Sequence, residues 1–375
     1  MRLPDTHVQK IKTLFKSEDF AYTLQAVELV DTLVDTEEDF TYFLESVRDC
    51  ELSNKLTIEE LTWVFQAYPR SKNYLGLWAF WKLVHWGSIH FRNTGTLRLI
   101  KKDLQALPKN INSFPELQEL FVRINRLSTL PETFTSLKQL RTLDISENNF
   151  SIFPEPLLEC RQLRKLDFTR NQLNEIPEDI SKLSKLHRLE LFRNSIQSLP
   201  ESFGQLYSLK TLLLNENHFE YLPDSFGDLR DLEYCDIQHN TLRYLPDSIG
   251  NLTVLSQLNL HKNDITCLPQ TIGSMTSLTR LQLSQNHLTH VPDTIAKLTR
   301  LRWLDLTENP LTSIPESIGT LTRLTRLDLK DCLLSTLPES LSNLKALDRL
   351  YLTVENFDPE DIQRLQHELP KCIIG

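Results

Sequence analysis

Residues Leu255–Met275 read LSQLNLHKNDITCLPQTIGSM and contain one complete copy of the unit that decides the fold. The proline of this copy, Pro269, belongs to a series of eleven prolines that recur at one fixed interval of 23 residues, each directly after an apolar residue. The series consists of Pro108, Pro131, Pro154, Pro177, Pro200, Pro223, Pro246, Pro269, Pro292, Pro315 and Pro338. A globular core tolerates insertions between its elements, whereas stacked copies of one unit do not, so this spacing predicts a repeat solenoid.

Two hydrophobic periodicities predict the local structure of each copy. Leu258 and Leu260 alternate with polar residues, and this period of two is typical of a short β-strand. Ahead of that strand, Ile249, Leu252 and Leu255 recur three residues apart, which indicates a helical or 3₁₀ return. One strand and one return per copy, stacked side by side, predict a continuous parallel sheet that lines a concave face.

An asparagine follows the second strand leucine by three residues in most copies. The column consists of Asn125, Asn148, Asn171, Asn194, Asn217, Asn240, Asn263, Asn286 and Asn309. The chain must turn here inside the stack, and a side-chain amide can satisfy both a buried N–H and a buried C=O. Lys102 precedes the column, and Cys332 and Glu355 follow it, as expected for end copies with one uncovered face.

The chain is predicted to have three parts. Residues 1–93 carry no repeat and are predicted to be an α-helical N-terminal cap domain. Residues 94–356 are predicted to hold about eleven full repeats with partial ends. Residues 357–375 are predicted to form a C-terminal cap: a helix with Asp358 as N-cap and Pro359 at its first position, running to about Leu369, and a short strand.

The full pattern, Leu-x-x-Leu-x-Leu-x-x-Asn-x-Leu-x-x-Leu-Pro-x-x-Ile-x-x-Leu, resembles the 23-residue class of leucine-rich repeats. It is similar to the repeats of the plant intracellular Ras-group proteins, the Ras-binding scaffold of the MAP-kinase pathway, the scribble family and bacterial proteins of similar make-up. The resemblance implies an α/β fold, a right-handed solenoid shaped like a horseshoe, with a parallel concave sheet. It also implies protein partners, with small GTPases, kinases or phosphatases as the first expectation. The motif is specific for the fold and weakly specific for function.

Composition excludes several classes of function. The net charge of −9 and the pI of about 5.6 disfavour nucleic-acid binding. The N-terminal residues contain no apolar run of the length of a signal peptide or membrane span, and the six cysteines form no Cys-x-x-Cys pair, so a reduced, cytoplasmic protein is expected. The usual nucleotide, metalloprotease and hydrolase motifs are missing, so we expect neither an enzyme nor a bound cofactor or metal.

The candidate binding residues are those that the repeat leaves free on the concave face. Phe192, Leu213 and Tyr234 come from three successive copies and form a diagonal apolar stripe, and Trp303 shares one column with arginines on both sides. The predicted partner-binding residues are Phe192, Leu213, Tyr234, Arg188, Arg193, His239, Trp303, Arg280 and Arg326, with His261 also flanking the stripe. Aromatic residues with arginine are typical of interface hot spots, although single exposed aromatics are also common on ordinary surfaces.

Two other groupings on this face allow a metal interpretation. Asp144, Asp167 and Glu190 form one acidic run, and Asp305 and Asp328 form another. A cation site is the alternative, but charge balance by Lys165, Arg188 and Arg326 is the favoured interpretation. His239 and His261 lie in neighbouring copies near Asp236, but no third or fourth zinc ligand can be assembled around them.

The sequence therefore predicts a non-catalytic scaffold or signalling adaptor that binds a protein partner on the concave face as a monomer. Its mechanism would be preorganisation, since stacked strands hold the binding side chains rigidly. Two alternatives remain open: a substrate-recruiting arm of an enzyme whose activity lies in residues 1–93 or in another chain, and a self-associating structural protein.

Overall fold

The computed structural model describes residues 95–101, 103–107, 111–112 and 114–375, together with positions 6, 9, 10 and 13. The predicted N-terminal helical domain, and the enzyme activity that one alternative placed there, lie outside the described residues, as do Lys102 and Pro108. The chain divides into two compact units, Met1–Gln139 and Leu140–Gly375.

The described part of the first unit includes two strands and the 3₁₀ helix that follows them. Strand β1 (Thr96–Arg98) pairs in parallel with β2 (Glu119–Phe121), with Leu97 opposite Leu120. A 3₁₀ helix, Glu132–Ser136, follows Pro131.

The second unit contains eleven parallel strands in sequence order. They are β3 (Thr142–Asp144), β4 (Lys165–Asp167), β5 (Arg188–Glu190), β6 (Thr211–Leu213), β7 (Tyr234–Asp236), β8 (Gln257–Asn259), β9 (Arg280–Gln282), β10 (Trp303–Asp305), β11 (Arg326–Asp328), β12 (Arg349–Tyr351) and β13 (Ile373–Ile374). Neighbouring strands pair without a shift, so each residue lies beside the residue one repeat away, as Leu258 lies beside Leu281. Equivalent positions of the repeat therefore form straight columns across the sheet.

A 3₁₀ helix connects each strand to the next. These helices are Glu155–Glu159, Glu178–Leu183, Glu201–Gln205, Asp224–Asp228, Asp247–Asn251, Gln270–Ser274, Asp293–Lys297, Glu316–Thr320, Glu339–Asn343 and Val354–Asn356. In all but the last, the residue before the helix is the repeat proline in extended backbone. Proline suits this position because its fixed φ and missing N–H cost nothing at a helix start. The sequence predicted a helical or 3₁₀ segment between successive strands, and the structure shows that these segments are 3₁₀ helices.

The core is a set of stacked leucine columns. Leu258 and Leu260 are buried while Asn259 between them is half-buried, and the same alternation recurs along the unit. Small residues let the 3₁₀ helices approach one another closely: a Cβ added at Gly250 would lie 2.6 Å from the backbone oxygen of Thr271 in the next repeat. These columns and the parallel sheet confirm the predicted solenoid.

The residue before each ladder asparagine has left-handed backbone. His239, Lys262 and Gln285 have φ of 55°, 55° and 52°, and the equivalent residue of the first unit, Ile124, has φ of 58°. This conformation is uncommon outside glycine and costs about 1–2 kcal/mol per residue for ordinary side chains. It turns the chain out of the strand, and the sequence pattern alone did not predict it.

The last residues form a helix and a strand. The helix runs from Pro359 to Glu368, and the Asp358 side chain accepts a 2.9 Å hydrogen bond from the Glu360 N–H. The strand β13 pairs in parallel with β12, and Leu350 lies opposite Ile374.

Candidate functional site

The candidate site is the exposed sheet face of the second unit, which we define as the first and third residues of each strand and the two residues that precede each ladder asparagine. Side chains at these positions point away from the leucine core because successive strand residues face opposite sides. Each repeat therefore contributes four variable side chains at fixed positions.

The asparagine ladder holds the edge of this face in place. The Asn263 amide nitrogen donates to the backbone oxygens of Ile237 and Leu260 at 3.0 and 3.1 Å. Its amide oxygen accepts a 3.0 Å hydrogen bond from the N–H of Leu242. The same donor and acceptor contacts recur at Asn171, Asn194, Asn217, Asn240, Asn286 and Asn309. One side chain per repeat thus satisfies buried backbone groups of two repeats.

At Cys332 a thiol stands in the asparagine column. Its Sγ–H donates to the backbone oxygen of Leu306 at 3.4 Å, the contact that Asn309 makes with Leu283 one repeat earlier. Burial raises the pKa of the Cys332 thiol to about 11, so it stays protonated and can donate. Cys235 and Cys372 are also buried free thiols, while Cys267 is an exposed free thiol.

The acidic residues at the third strand position bind their own backbone. The carboxylate of Asp167 accepts a 2.8 Å hydrogen bond from the N–H of Thr169, and Asp305 accepts one of 3.1 Å from the N–H of Thr307. Asp236 makes the same contact with the N–H of Gln238 at 3.1 Å. Aspartate side chains commonly accept a hydrogen bond from the backbone N–H two residues later in the chain. The main role of the acidic column is therefore to stabilise the ends of the strands.

In the first acidic run, Asp144, Asp167 and Glu190 lie side by side on β3, β4 and β5. Burial, together with the negative charges of Glu190 and Asp144, raises the pKa of Asp167 to about 6. Arg188 pairs with Glu190, as charge balance predicted, but backbone N–H groups rather than Lys165 hold Asp144 and Asp167. In the part of the chain that the structure describes, no three acidic, histidine or cysteine residues are arranged to hold a metal ion.

The predicted apolar stripe falls on three consecutive strands. Leu213 ends β6, Tyr234 begins β7 and Phe192 lies two residues beyond β5, and all three side chains are half-buried. Of the flanking cations, Arg193 pairs with Glu216 at 3.1 Å and Arg188 pairs with Glu190. The cations beside the stripe are therefore engaged within the chain.

The two histidines of the face lie together, and their ring centroids are 5.3 Å apart. Burial and the neighbouring charges of Lys262 and His261 lower the pKa of His239. The His261 Nδ1 lies 2.9 Å from the Ser284 hydroxyl, which donates to Asp305 at 2.9 Å. Since the serine proton goes to the carboxylate, this arrangement assigns the histidine proton to Nδ1 and does not activate the serine as a nucleophile.

A connected cluster of the face surrounds Trp303. Guanidinium groups lie over its indole from both neighbouring strands, with Arg280 at 3.8 Å and Arg326 at 4.4 Å from the ring centroid. The indole Nε1 donates to Asp328 at 2.9 Å, and Arg326 Nε donates to the same carboxylate at 2.8 Å. The Arg326 guanidinium also lies 5.1 Å from the Tyr351 ring.

The structure thus brings Arg280, Trp303 and Arg326 together, and it adds Asp328 and Tyr351, which were not among the predicted binding residues. The signal was present in the sequence, because Asp328 and Tyr351 occupy the third strand position in the two repeats that follow Trp303. Aromatic side chains also occur outside the face: Tyr207, Tyr221 and Tyr244 are exposed in turns and loops.

The stacked strands and 3₁₀ helices define a protein of the solenoid repeat class. Family models described as "Leucine-rich repeat region" match residues 154–236 and 224–306, and models described as "Leucine rich repeat" match residues 115–173, 300–321 and 323–344. The matched residues make up more than half of the chain. The chain belongs to the leucine-rich repeat family.

Solved structures with the same fold come from bacteria and plants. A leucine-rich repeat protein of Leptospira interrogans is 25% identical over 78% of this chain and 97% of its own, with a TM-score of 0.56. The plant peptide hormone receptor RGFR1, solved in complex with RGF2, is 26% identical over 72% of this chain and 52% of the receptor, with a TM-score of 0.55. An internalin of Listeria monocytogenes is 18% identical over 92% of this chain and 96% of its own, with a TM-score of 0.60, which shows the fold alone.

No curated protein matches the sequence at a significant level. Among the described residues, no helix combines the length and apolar character needed to cross a membrane.

Proposed function

We propose that this chain is a non-catalytic scaffold that binds a protein partner through the exposed sheet face. The observation that carries the proposal is the row of half-buried large side chains on that face, Phe192, Leu213, Tyr234 and Trp303, on a sheet that is fixed by the asparagine ladder. Large aromatic and aliphatic side chains beside arginine have the composition of interface hot spots. RGFR1, which shares the fold, was solved in complex with RGF2, and this supports a binding role for the chain described here.

Preorganisation is the proposed mechanism. Side chains such as Trp303 are already fixed by hydrogen bonds and stacking, so little conformational entropy is lost when a partner binds. A signalling adaptor role, monomeric state and cytoplasmic location form part of the proposal. The buried free thiols of Cys235 and Cys372 support a reducing environment. Small GTPases, kinases and phosphatases are the first partners to examine, on the resemblance of the repeats.

A matched pair of variants tests this proposal. Leu213→Glu places a charge on the exposed sheet face, and Val254→Glu makes a similar change in the turn before β8, where Val254 is exposed. In affinity capture followed by mass spectrometry, Leu213→Glu should lose the proteins that the wild type captures, and Val254→Glu should retain them. Capture of the same proteins by Leu213→Glu, with unchanged thermal unfolding, would refute the proposal. Light scattering at several concentrations distinguishes a partner protein from self-association through the same face.

A further inference from the structure

One column of the exposed sheet face is cationic and aromatic over four consecutive strands. Arg280, Trp303, Arg326 and Arg349 begin β9, β10, β11 and β12, and the strand register places each beside the next. We call these four residues the arginine–tryptophan column. Neighbouring strands lie about 4.8 Å apart, so the column spans roughly 15 Å, the length of an extended peptide of about four or five residues.

Stacking and hydrogen bonding fix three of the four column residues, Arg280, Trp303 and Arg326, before any ligand arrives. Trp303 lies between the guanidinium groups of Arg280 and Arg326, and Arg326 is also held through its Nε by Asp328. Arginine pays less conformational entropy for each new hydrogen bond when its planar group is already positioned. The column is therefore a preformed surface.

The arginines keep hydrogen-bonding capacity that the chain does not use. Among the described residues, Arg280 Nε is buried without a hydrogen-bond partner, and the terminal nitrogens of Arg280, Arg326 and Arg349 make no hydrogen bond. Arg349 is exposed. The terminal nitrogens can donate to a bound acceptor without first breaking a hydrogen bond within the chain.

One neighbouring carboxylate offsets part of this charge, because Asp328 forms an ion pair with Arg326 at 2.8 Å, while Arg280 and Arg349 have no ion-pair partner among the described residues. Asp305 is 9% exposed and accepts from Ser284 and Thr307, and Asp328 is 3% exposed and accepts from Trp303 and Arg326. Both carboxylates are buried and have their oxygens engaged within the chain.

Exposed charges beside the column occur with both signs. Arg302 and Lys330 are positive, while Glu308 accepts from Gln285, Asp331 accepts from Thr353, and Asp348 precedes β12. Along the column itself, the charged side chains are all positive.

We propose that the arginine–tryptophan column binds an acidic, extended peptide segment of the partner protein, with carboxylates on the arginines and an apolar side chain on Trp303. This inference rests on the proposed function and specifies its ligand chemistry. Guanidinium groups bind carboxylates through paired N–H···O contacts, and the indole adds apolar area between them. The net charge of −9 for the whole chain makes a local cationic column selective, because other surfaces repel an acidic segment.

The test uses the full chain and labelled peptides in fluorescence anisotropy titrations. The probe is a fluorescein-labelled peptide in which glutamate alternates with leucine, and the matched peptides carry glutamine or phosphoserine in place of glutamate. The test variant is Arg280→Gln with Arg349→Gln. The control is Arg300→Gln with Arg323→Gln, which removes two exposed arginines from turns of neighbouring repeats.

We expect the glutamate peptide to bind the wild type, to bind the test variant about tenfold or more weakly, and to bind the control variant nearly as well as the wild type. Binding should weaken as salt increases. No binding of the glutamate peptide, equal binding by the glutamine peptide, or equal binding by both arginine variants would overturn the inference. Binding of the phosphoserine peptide alone would also overturn it, in favour of a phosphate site.

The same protein preparations separate this inference from the proposed function. If the acidic peptide fails to bind while partner capture still depends on Leu213, the acidic-segment inference is lost and the proposed function stands. If partner capture is also independent of Leu213, the proposed function is lost as well.

Discussion

The indole Nε1 of Trp303 donates a 2.9 Å hydrogen bond to the carboxylate of Asp328 in the next repeat. This bond joins two strands through side chains on the face where partners are proposed to bind. It also fixes the edge of the indole, so that both of its faces remain available to the guanidinium groups of Arg280 and Arg326. A surface aromatic is thereby made a rigid part of the repeat stack.

Trp303→Phe should lower the free energy of unfolding by about 1.5–3 kcal/mol, because phenylalanine cannot donate the hydrogen bond to the buried carboxylate of Asp328. The phenylalanine ring still fills the stacked position, so the change reports mainly on that hydrogen bond. Chemical denaturation measures this change. Asp328→Ala alone and in combination with Trp303→Phe completes a double-mutant cycle, and a coupling energy near zero would contradict the role given to the hydrogen bond.

Asp167 should make stability depend on pH in the acid range. Its folded pKa, raised to about 6 from the usual 3.8, means that the folded state holds the proton more tightly, so stability falls as pH rises between about 4 and 6. Asp167→Asn should remove this fall and be more stable above pH 6, by on the order of 1–3 kcal/mol. Thermal melts at several pH values measure this change in stability. If Asp167 instead made the wild type more stable as pH rises over this window, the prediction would be wrong.

The asparagine ladder should be intolerant of charge. Asn263→Asp replaces an amide that donates to Ile237 and Leu260 with a buried carboxylate facing the same two carbonyl oxygens. We expect a loss of about 3 kcal/mol or more in unfolding free energy at neutral pH. The matched change Asn251→Asp, at an exposed 3₁₀ position, should stay within about 0.5 kcal/mol of the wild type. Equal effects at the two positions would show that the ladder bonds do not matter.

Restoring asparagine at Cys332 should stabilise the protein. In the preceding repeat the N–H of Leu288 donates to Asn309 at 3.0 Å, whereas the equivalent N–H of Leu311 has no acceptor among the described residues. Cys332→Asn offers that acceptor and keeps a donor for Leu306, so we expect a gain of about 1 kcal/mol. A lower denaturation midpoint for Cys332→Asn than for Cys332→Ser would count against this account.

The sequence was sufficient for the fold because the fold is one unit repeated. Leu258, Leu260 and Pro269 recur at a fixed interval, and each recurrence places the next strand beside the last without a choice of topology. The left-handed backbone at His239 and Lys262 was not predictable, because these residues vary between copies and the turn is imposed by the stacked asparagines.

The candidate site was only partly predictable. The strand register placed Trp303 between Arg280 and Arg326, and this followed from the spacing alone. The period-two pattern also assigned Asp305 and Asp328 to the exposed side, but both are buried. Their burial depends on local hydrogen bonds to Thr307 and Arg326, and a pattern of alternating residues does not encode such bonds.

The most direct test of the central claim is hydroxyl-radical footprinting of the chain alone and in complex with a purified partner. Tyr234, Leu213 and Trp303 report on the exposed sheet face, and Tyr207 and Tyr221 provide internal controls outside that face. We expect the partner to slow oxidation of Tyr234, Leu213 and Trp303 and to leave that of Tyr207 and Tyr221 unchanged. Protection of Tyr207 and Tyr221, with Tyr234, Leu213 and Trp303 oxidised as fast as in the free protein, would contradict the central claim.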